Sequence, residues 1–328
     1  MIPYIEVAGD AKKIGEAIGE HLRDDIVVAL QRFEKRFKHT PKLWAWKKKL
    51  ASIAKKFFPE YIKELQGIAD GARQPFDRFL SFSFEEELAY HDSCSTLAIN
   101  IGHTVLFGHN EDWDHPMPLY VIKAKPKKGP AFLSVSYAGQ LPGMSATIND
   151  AGFVYSANSI ATPFHNNGLP KIYCLRGLAT ARSLDQALNI ISAHDRSSGN
   201  SSVIVFKKQL YILEWSPTKI ALERCVPWVA HANRFILPEM KNEQSSASRG
   251  STSDKRLAHM WDWFVCTPRV TAQEMKNVLS DHSDPKHSLC RHNKDDQTVA
   301  SVVIDTEKKE MQVAYGQPCI SPFQKFWL

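Results

Sequence analysis

The 328 residues are 43% hydrophobic and 23% charged, an ordinary globular composition with enough chain to bury one large core. The balance of 41 basic against 35 acidic residues gives +6, carried in short scattered runs such as Lys47-Lys48-Lys49 and Lys127-Lys128. Such runs read as solvated faces and exclude a clustered nucleic-acid footprint, and no stretch approaches the roughly 18 apolar residues of a membrane span.

The start, MIPYIEVAGDAKKIG, has no apolar run behind a basic segment, so no secretory signal is expected. The cysteines at 94, 174, 225, 266, 290 and 319 are widely spaced without a CxxC pair. That spacing argues against a disulfide framework and against a structural zinc site, and makes the cytoplasm the expected compartment.

The first 93 residues read as helices. Ile14, Ala17, Ile18, Leu22, Ile26, Leu30 and Phe33 recur at three- and four-residue steps, a helical stripe. A second helix carries Leu43, Trp44, Leu50, Ile53 and Phe57. A third opens with Pro59 and stops at Gly71, and a fourth runs from Phe76 to about Tyr90. From Cys94 the character changes to strands. Hairpins are expected for 95–101 with 104–108, 120–125 with 131–137, and 145–148 with 153–156. Two helices, near 172–182 and 184–194, precede strands at 202–206, 210–215 and 220–224. A polar loop at 243–253, helices at 255–265 and 272–279, and a closing hairpin of 300–305 with 311–315 complete the chain. There is no repeat and no linker. The fold class is α+β, with helices packed over antiparallel sheets in one domain.

Cys94 sits where the helical region gives way to a strand, in HDSCSTLAIN. A cysteine there is commonly a small buried apolar residue. The segment GHNEDWD at 108–114 makes the chemical reading attractive. A hairpin would bring Asn110 and Asp112 alongside the start of the Cys94 strand, because paired strands lie about 5 Å apart. A carboxylate beside a thiol can orient an amine while the thiol attacks. His109, Glu111, Asp112, Asp114 and His115 could also be metal ligands, but strand alternation scatters them over two faces. His282, His287, Cys290 and His292 fit no common zinc spacing and read as solvated loop residues. No cofactor or metal is called for. The chain has no GxSxG, GxxxxGK[ST], HExxH or GxGxxG signal.

The chain resembles the acyl-coenzyme A:6-aminopenicillanic acid acyltransferase family, relatives of the choloylglycine hydrolases in the N-terminal-nucleophile superfamily. The match is carried in order by ELQGIADGA at 64–72, Cys94-Ser95-Thr96, GHNEDWD at 108–114 and NDAGFVYSANS at 149–159. It continues through HANRF at 231–235, SLCRH at 288–292 and TVASVVID at 298–305.

The resemblance implies a four-layer αββα fold and a precursor that cleaves itself before Cys94, leaving 1–93 as a helical pro-segment and 94–328 as the catalytic segment. It implies Cys94 as nucleophile and Asp112 as the carboxylate near the freed amine. Asn233 would be the oxyanion donor, Asn158 a second donor or a substrate-positioning group, Arg291 the active-site arginine and Asn110 a support for Asp112. Without the resemblance, Asn158 and Asn233 read as turn asparagines and Arg291 as one half of a surface salt bridge. The chain departs from the family pattern at Ser93, where glycine is usual; glycine permits backbone geometries that could strain the scissile bond.

The implied activity is hydrolysis of a linear, non-peptide amide, or acyl transfer from an acyl thioester, through an acyl-Cys94 intermediate. A coenzyme-A-dependent N-acyltransferase and a non-catalytic ligand-binding protein on the same fold are the alternatives. The expected partner is a small amide or acyl thioester. The loops after Trp113, at 161–170 and at 245–253 would shape its pocket, with Trp113, Phe164 and His165 as aromatic candidates.

Overall fold

The computed structural model describes residues 1–37, 40–88, 94–163, 167–246, 252–284, 288–293 and 296–328. Up to residue 88 the chain runs β1 (Tyr4–Gly9), α1 (Ala11–His21), α2 (Arg23–Arg36), α3 (Pro41–Phe57), α4 (Pro59–Ala72), α5 (Phe76–Phe82) and α6 (Glu85–Leu88). Strands then dominate, as β2 (Ser95–Asn100), β3 (Val105–Trp113), β4 (Leu119–Pro126), β5 (Phe132–Tyr137), β6 (Thr147–Asn149), β7 (Val154–Tyr155) and β8 (Asn158–Ile160). Helices α7 (Lys171–Leu178) and α8 (Leu184–Ser192) precede β9 (Gly199–Phe206), β10 (Gln209–Trp215), β11 (Ile220–Cys225) and β12 (Trp228–His231). The last stretch holds α9 (Ser253–Cys266), α10 (Ala272–Leu279), β13 (His292–Asn293), β14 (Asp296–Asp305), β15 (Glu310–Tyr315) and β16 (Phe323–Trp327).

The strands form two sheets. The larger has the order β1-β4-β5-β6-β7-β9-β10-β11, with β8 paired to β9; the smaller has the order β12-β2-β3-β14-β15-β16, with β13 paired to β14. Strand alternation sorts the smaller sheet's side chains. Ala98, Phe107, Val302 and Ile304 join the large core shared with the other sheet. Leu97, Leu106, Ala230 and Val303 pack instead with Leu257, Met260 and Phe264 of α9 and Met275, Val278 and Leu279 of α10. The N-terminal helices and α7–α8 pack against the larger sheet through the large core. The layers are therefore αββα, as the resemblance implied. Among the described residues no helix is long and apolar enough to cross a membrane.

The expected hairpins form in register, for instance Leu97 opposite Gly108 and Val121 opposite Val135. Several details differ from the sequence reading, among them the added strands β8, β12 and β13 and the division of the helix expected from Phe76 into α5 and α6. The first 93 residues are not all helical, because β1 adds to the larger sheet's edge and pairs parallel with β4, Tyr4 opposite Val121. The Ile14–Phe33 stripe is buried as one ridge but breaks at Leu22 into α1 and α2. The 300–315 hairpin is followed by a further strand, β16. Finally, α4 ends at Arg73, in the left-handed region with φ of 55°, and not at Gly71.

Gly71 and Gly67 have another function. A Cβ on Gly67 would meet Lys12 O at 2.2 Å, and one on Gly71 would meet Glu16 O at 2.1 Å; Gly15 and Gly19 of α1 face Glu64 O and Ile68 O as closely. Helices α1 and α4 thus touch backbone to backbone, and only hydrogen fits between them. A methyl group there must push the helices apart, and overpacking of this kind typically costs up to about 3 kcal/mol. Gly67→Ala is expected to lower unfolding stability by about that amount, read as a reduced urea midpoint at unchanged slope.

Candidate functional site

Cys94 immediately precedes β2 and is only 7% exposed. Its Sγ–H donates to Glu111 Oε1 at 3.4 Å, and the main-chain N–H of Asp112 donates to Sγ. Burial, then the charges of Glu111 and Asp112, push the thiol well above its ordinary range, and the Asp112 N–H opposes them. The Cys94 thiol is therefore held in its neutral form.

Glu111 opens a buried polar row. His109 Nε2 lies 3.1 Å from Glu111 Oε2, and His109 Nδ1 lies 2.8 Å from Thr96 Oγ1. Thr96 donates to Asn158 Oδ1 at 2.8 Å. With its proton on Asn158, Thr96 accepts from His109 Nδ1, so the His109–Glu111 contact shares one proton. Burial raises the Glu111 carboxyl, but the hydrogen bond and charge of His109 bring it below its usual range.

The thiol's neighbouring side-chain carboxylate is thus Glu111, where the sequence reading paired Cys94 with Asp112. Period-two alternation along β3 explains the difference: His109 and Glu111 turn to one face, Asn110 and Asp112 to the other. Asn110 Nδ2 donates to Leu279 O and Leu289 O, both at 2.8 Å, tying α10 and the following loop to β3. Asp112 Oδ1 accepts from Thr298 Oγ1 at 2.6 Å, across a β-bulge between Thr298 and Ala300. Asp112 Oδ2 is buried with no hydrogen-bond partner among the described residues. Burial pushes the Asp112 carboxyl up to about 8, against the opposing charge of Arg291.

Asn158 and Asn233 arrive from different layers. Thr96 and Ser156 fix Asn158 Oδ1, which leaves Asn158 Nδ2 buried and unpartnered among the described residues. Asn233 lies in a turn held by Glu214, which accepts from the main-chain N–H groups of Ile236 and Leu237 and sits 2.8 Å from His231 Nε2. Asn233 Nδ2 donates to Ser159 O at 3.0 Å, and its main-chain N–H donates to Ser253 Oγ at 2.8 Å.

The arginine that joins these groups is Arg256, which the sequence reading missed. Fully buried in the first turns of α9, it donates through Nη1 to Cys94 O at 2.6 Å and Ser95 Oγ at 2.8 Å, and through Nη2 to Asn233 Oδ1 at 2.8 Å. Arg291, named instead, bonds Thr252 Oγ1 at 2.6 Å and pairs with Asp296, so its influence on Asp112 is electrostatic. The clue to Arg256 was a cation set in α9's apolar stripe with Leu257, Met260 and Phe264.

Trp113 is a core residue: its Nε1 donates to Tyr137 Oη at 2.7 Å, and Tyr137 lies beside Glu111. Ser93, Phe164, His165 and His287 lie outside the described residues. A cleft of about 580 Å³ is lined by Asp10, Phe58, Tyr61, Glu64, Arg176 and their neighbours, and includes none of the site residues above.

Residues 100–319 match the family described as "Acyl-coenzyme A:6-aminopenicillanic acid acyl-transferase". A beta-alanyl-dopamine/carcinine hydrolase from Drosophila melanogaster is 26% identical over 75% of this chain and 73% of its own length. The 40 kDa form of acyl-coenzyme A:6-aminopenicillanic-acid-acyltransferase from Emericella nidulans is 22% identical over 83% of this chain and 79% of its own. Among solved structures, a mutant conjugated bile acid hydrolase from Clostridium perfringens is 12% identical, covers 72% of this chain and 97% of its own, and has a TM-score of 0.46. Penicillin V acylase from Agrobacterium tumefaciens is 12% identical, with 72% and 85% covered and a TM-score of 0.42. With the matched span covering most of the chain, the protein belongs to the acyl-coenzyme A:6-aminopenicillanic acid acyl-transferase family.

Proposed function

We propose that the chain is an N-terminal-nucleophile cysteine amidohydrolase that acts on a linear, non-peptide amide through an acyl-Cys94 thioester, after cutting itself between Ser93 and Cys94. The observation that carries this reading is the Arg256 fork, which joins the Cys94 carbonyl and Asn233 in one buried, charge-assisted unit.

In the first act Cys94 Sγ attacks the Ser93 carbonyl carbon. A C–S bond forms, the Ser93–Cys94 C–N bond breaks, and the thiol proton passes to the departing nitrogen. Water then hydrolyses the thioester, which frees the Ser93 carboxylate, the Cys94 thiol and a new α-amine. That amine titrates near 7.7–8.0 and is a stronger base than the Glu111 carboxylate that lies beside the thiol of the uncut chain. In this reading Asp112 holds the amine through Oδ2, the oxygen without a described partner, and Asn110 supports Asp112 by fixing the backbone around it.

In the second act the amine takes the thiol proton and Sγ attacks the substrate carbonyl. Asn233, oriented by Arg256, and Asn158, through its unpartnered Nδ2, donate to the oxyanion, and one such donor is typically worth about 3–4 kcal/mol. Arg291 keeps an electrostatic role toward Asp112. The leaving amine departs with the proton, and water releases the acid. An acyl acceptor other than water would make the same intermediate an acyltransferase's, as in the Emericella nidulans relative's name. The cytoplasmic setting rests on the cysteine spacing alone.

Two measurements test the reading. Intact mass of the purified protein is expected to show fragments 1–93 and 94–328, and Cys94→Ala a single uncut chain without amide turnover; a Cys94→Ala protein that still turned over an amide would sink it. Arg256→Lys keeps the charge but cannot bridge Cys94 O, Ser95 Oγ and Asn233 Oδ1 together. Steady-state kinetics of that variant should show kcat lowered by about 100-fold, the loss typical of one oxyanion donor.

A further inference from the structure

A second group of chemistry-bearing side chains meets where the loop after α10, β13 and the β15–β16 turn converge. The ligand atoms of His282, Cys290, His292 and Cys319 all lie within 4.8 Å of one another. Cys290 Sγ is 3.6 Å from Cys319 Sγ and 3.4 Å from His292 Nε2, and Cys319 Sγ is 3.3 Å from that same nitrogen. Zinc bound tetrahedrally with Zn–S of about 2.3 Å and Zn–N of about 2.0–2.1 Å separates its ligand atoms by roughly 3.3–3.8 Å. The three separations above are the edges of such a tetrahedron.

We propose that His282, Cys290, His292 and Cys319 hold a structural zinc ion. Two thiolates and two neutral imidazoles balance the charge of Zn²⁺, and the two thiol protons leave to solvent on binding. The surroundings suit an ion. His282 Nδ1 lies 3.0 Å from Ser280 O, the second-shell anchor that leaves Nε2 for a metal. The main-chain N–H of Cys319 donates to Cys290 Sγ, which holds that sulfur in place. The main-chain N–H of Cys290 donates to Asp281 O at 2.9 Å, so the loop is already folded around the position. Four protein ligands close the coordination sphere, which makes the ion a staple and not a reactant. A Cys290–Cys319 disulfide would account for the sulfurs but not for two imidazoles turned on them.

The test uses the full-length chain carrying Cys94→Ala, so that the thiol beside His109 and Glu111 contributes no ligand. After dialysis against zinc and then against metal-free buffer, elemental analysis is expected to give about one zinc per chain. Cobalt exchanged for it should give tetrahedral bands with thiolate-to-metal charge transfer. Adding Cys319→Ser should cut the retained metal at least about tenfold and weaken the charge-transfer band. No bound zinc, undiminished zinc in the Cys319→Ser chain, or an oxidised mass lower by two hydrogens that maps to Cys290–Cys319 would overturn the proposal. Should Cys319→Ser fail to fold, the cobalt spectrum of the unsubstituted ligand set decides, and absence of thiolate charge transfer overturns it.

Discussion

A buried guanidinium holds the site together. Taking Arg256 out of water costs several kcal/mol, which is offset only if its donors meet good acceptors. Cys94 O, Ser95 Oγ and Asn233 Oδ1 are those acceptors. The planar fork fixes directions as well as distances, and so ties α9 to the start of β2 and to the turn carrying Asn233. Ser253, one turn earlier on α9, takes the main-chain N–H of the same asparagine. The candidate oxyanion donor is thereby clamped at both backbone and side chain by a single helix.

Two carboxylates adjacent in sequence serve two different groups because a strand alternates. Glu111 turns toward the thiol and is matched by His109, whereas Asp112 turns toward the arginines and Thr298. Side by side on one face they would repel in a dry interior; the sheet between them lets each keep its own partner. The bulge at Val299 belongs to this division. It inserts an extra residue opposite Asp112 and Glu111, so that Thr298 shares the face of Asp112 while Ala300 pairs with Glu111.

Local regularities were legible in the sequence, and long-range convergence was not. The Ile14–Phe33 stripe, the hairpins and the polar alternation of GHNEDWD each rest on residues a few positions apart, and each reappears in the structure. The strand β1 was passed over although Ile5 and Val7 alternate with Glu6, because so short a run pairs only with a partner more than a hundred residues away. Gly71 looked like a helix stop because a stop and a backbone contact leave the same mark in sequence. Arg256 was hidden by its neighbours: a cation beside a polar loop reads as surface, and only its position in an apolar stripe says otherwise.

The same distinction explains why His282, Cys290 and His292 looked like loop residues. Zinc spacings are read from ligands close in sequence, and the fourth ligand here, Cys319, comes from a turn beyond two further strands. The cluster is also joined to the candidate site by a short path. Arg291 lies between Cys290 and His292, and its main-chain N–H donates to Thr298 Oγ1 at 2.9 Å. The Thr298 main-chain N–H returns the bond to Arg291 O at 3.0 Å, and the Thr298 hydroxyl proton goes to Asp112. Whatever fixes the 288–293 loop therefore fixes the partner of Asp112 through three hydrogen bonds, none of which involves the exposed end of a flexible side chain. A staple at the loop and the buried carboxyl of Asp112 are in this sense parts of one assembly built on the smaller sheet.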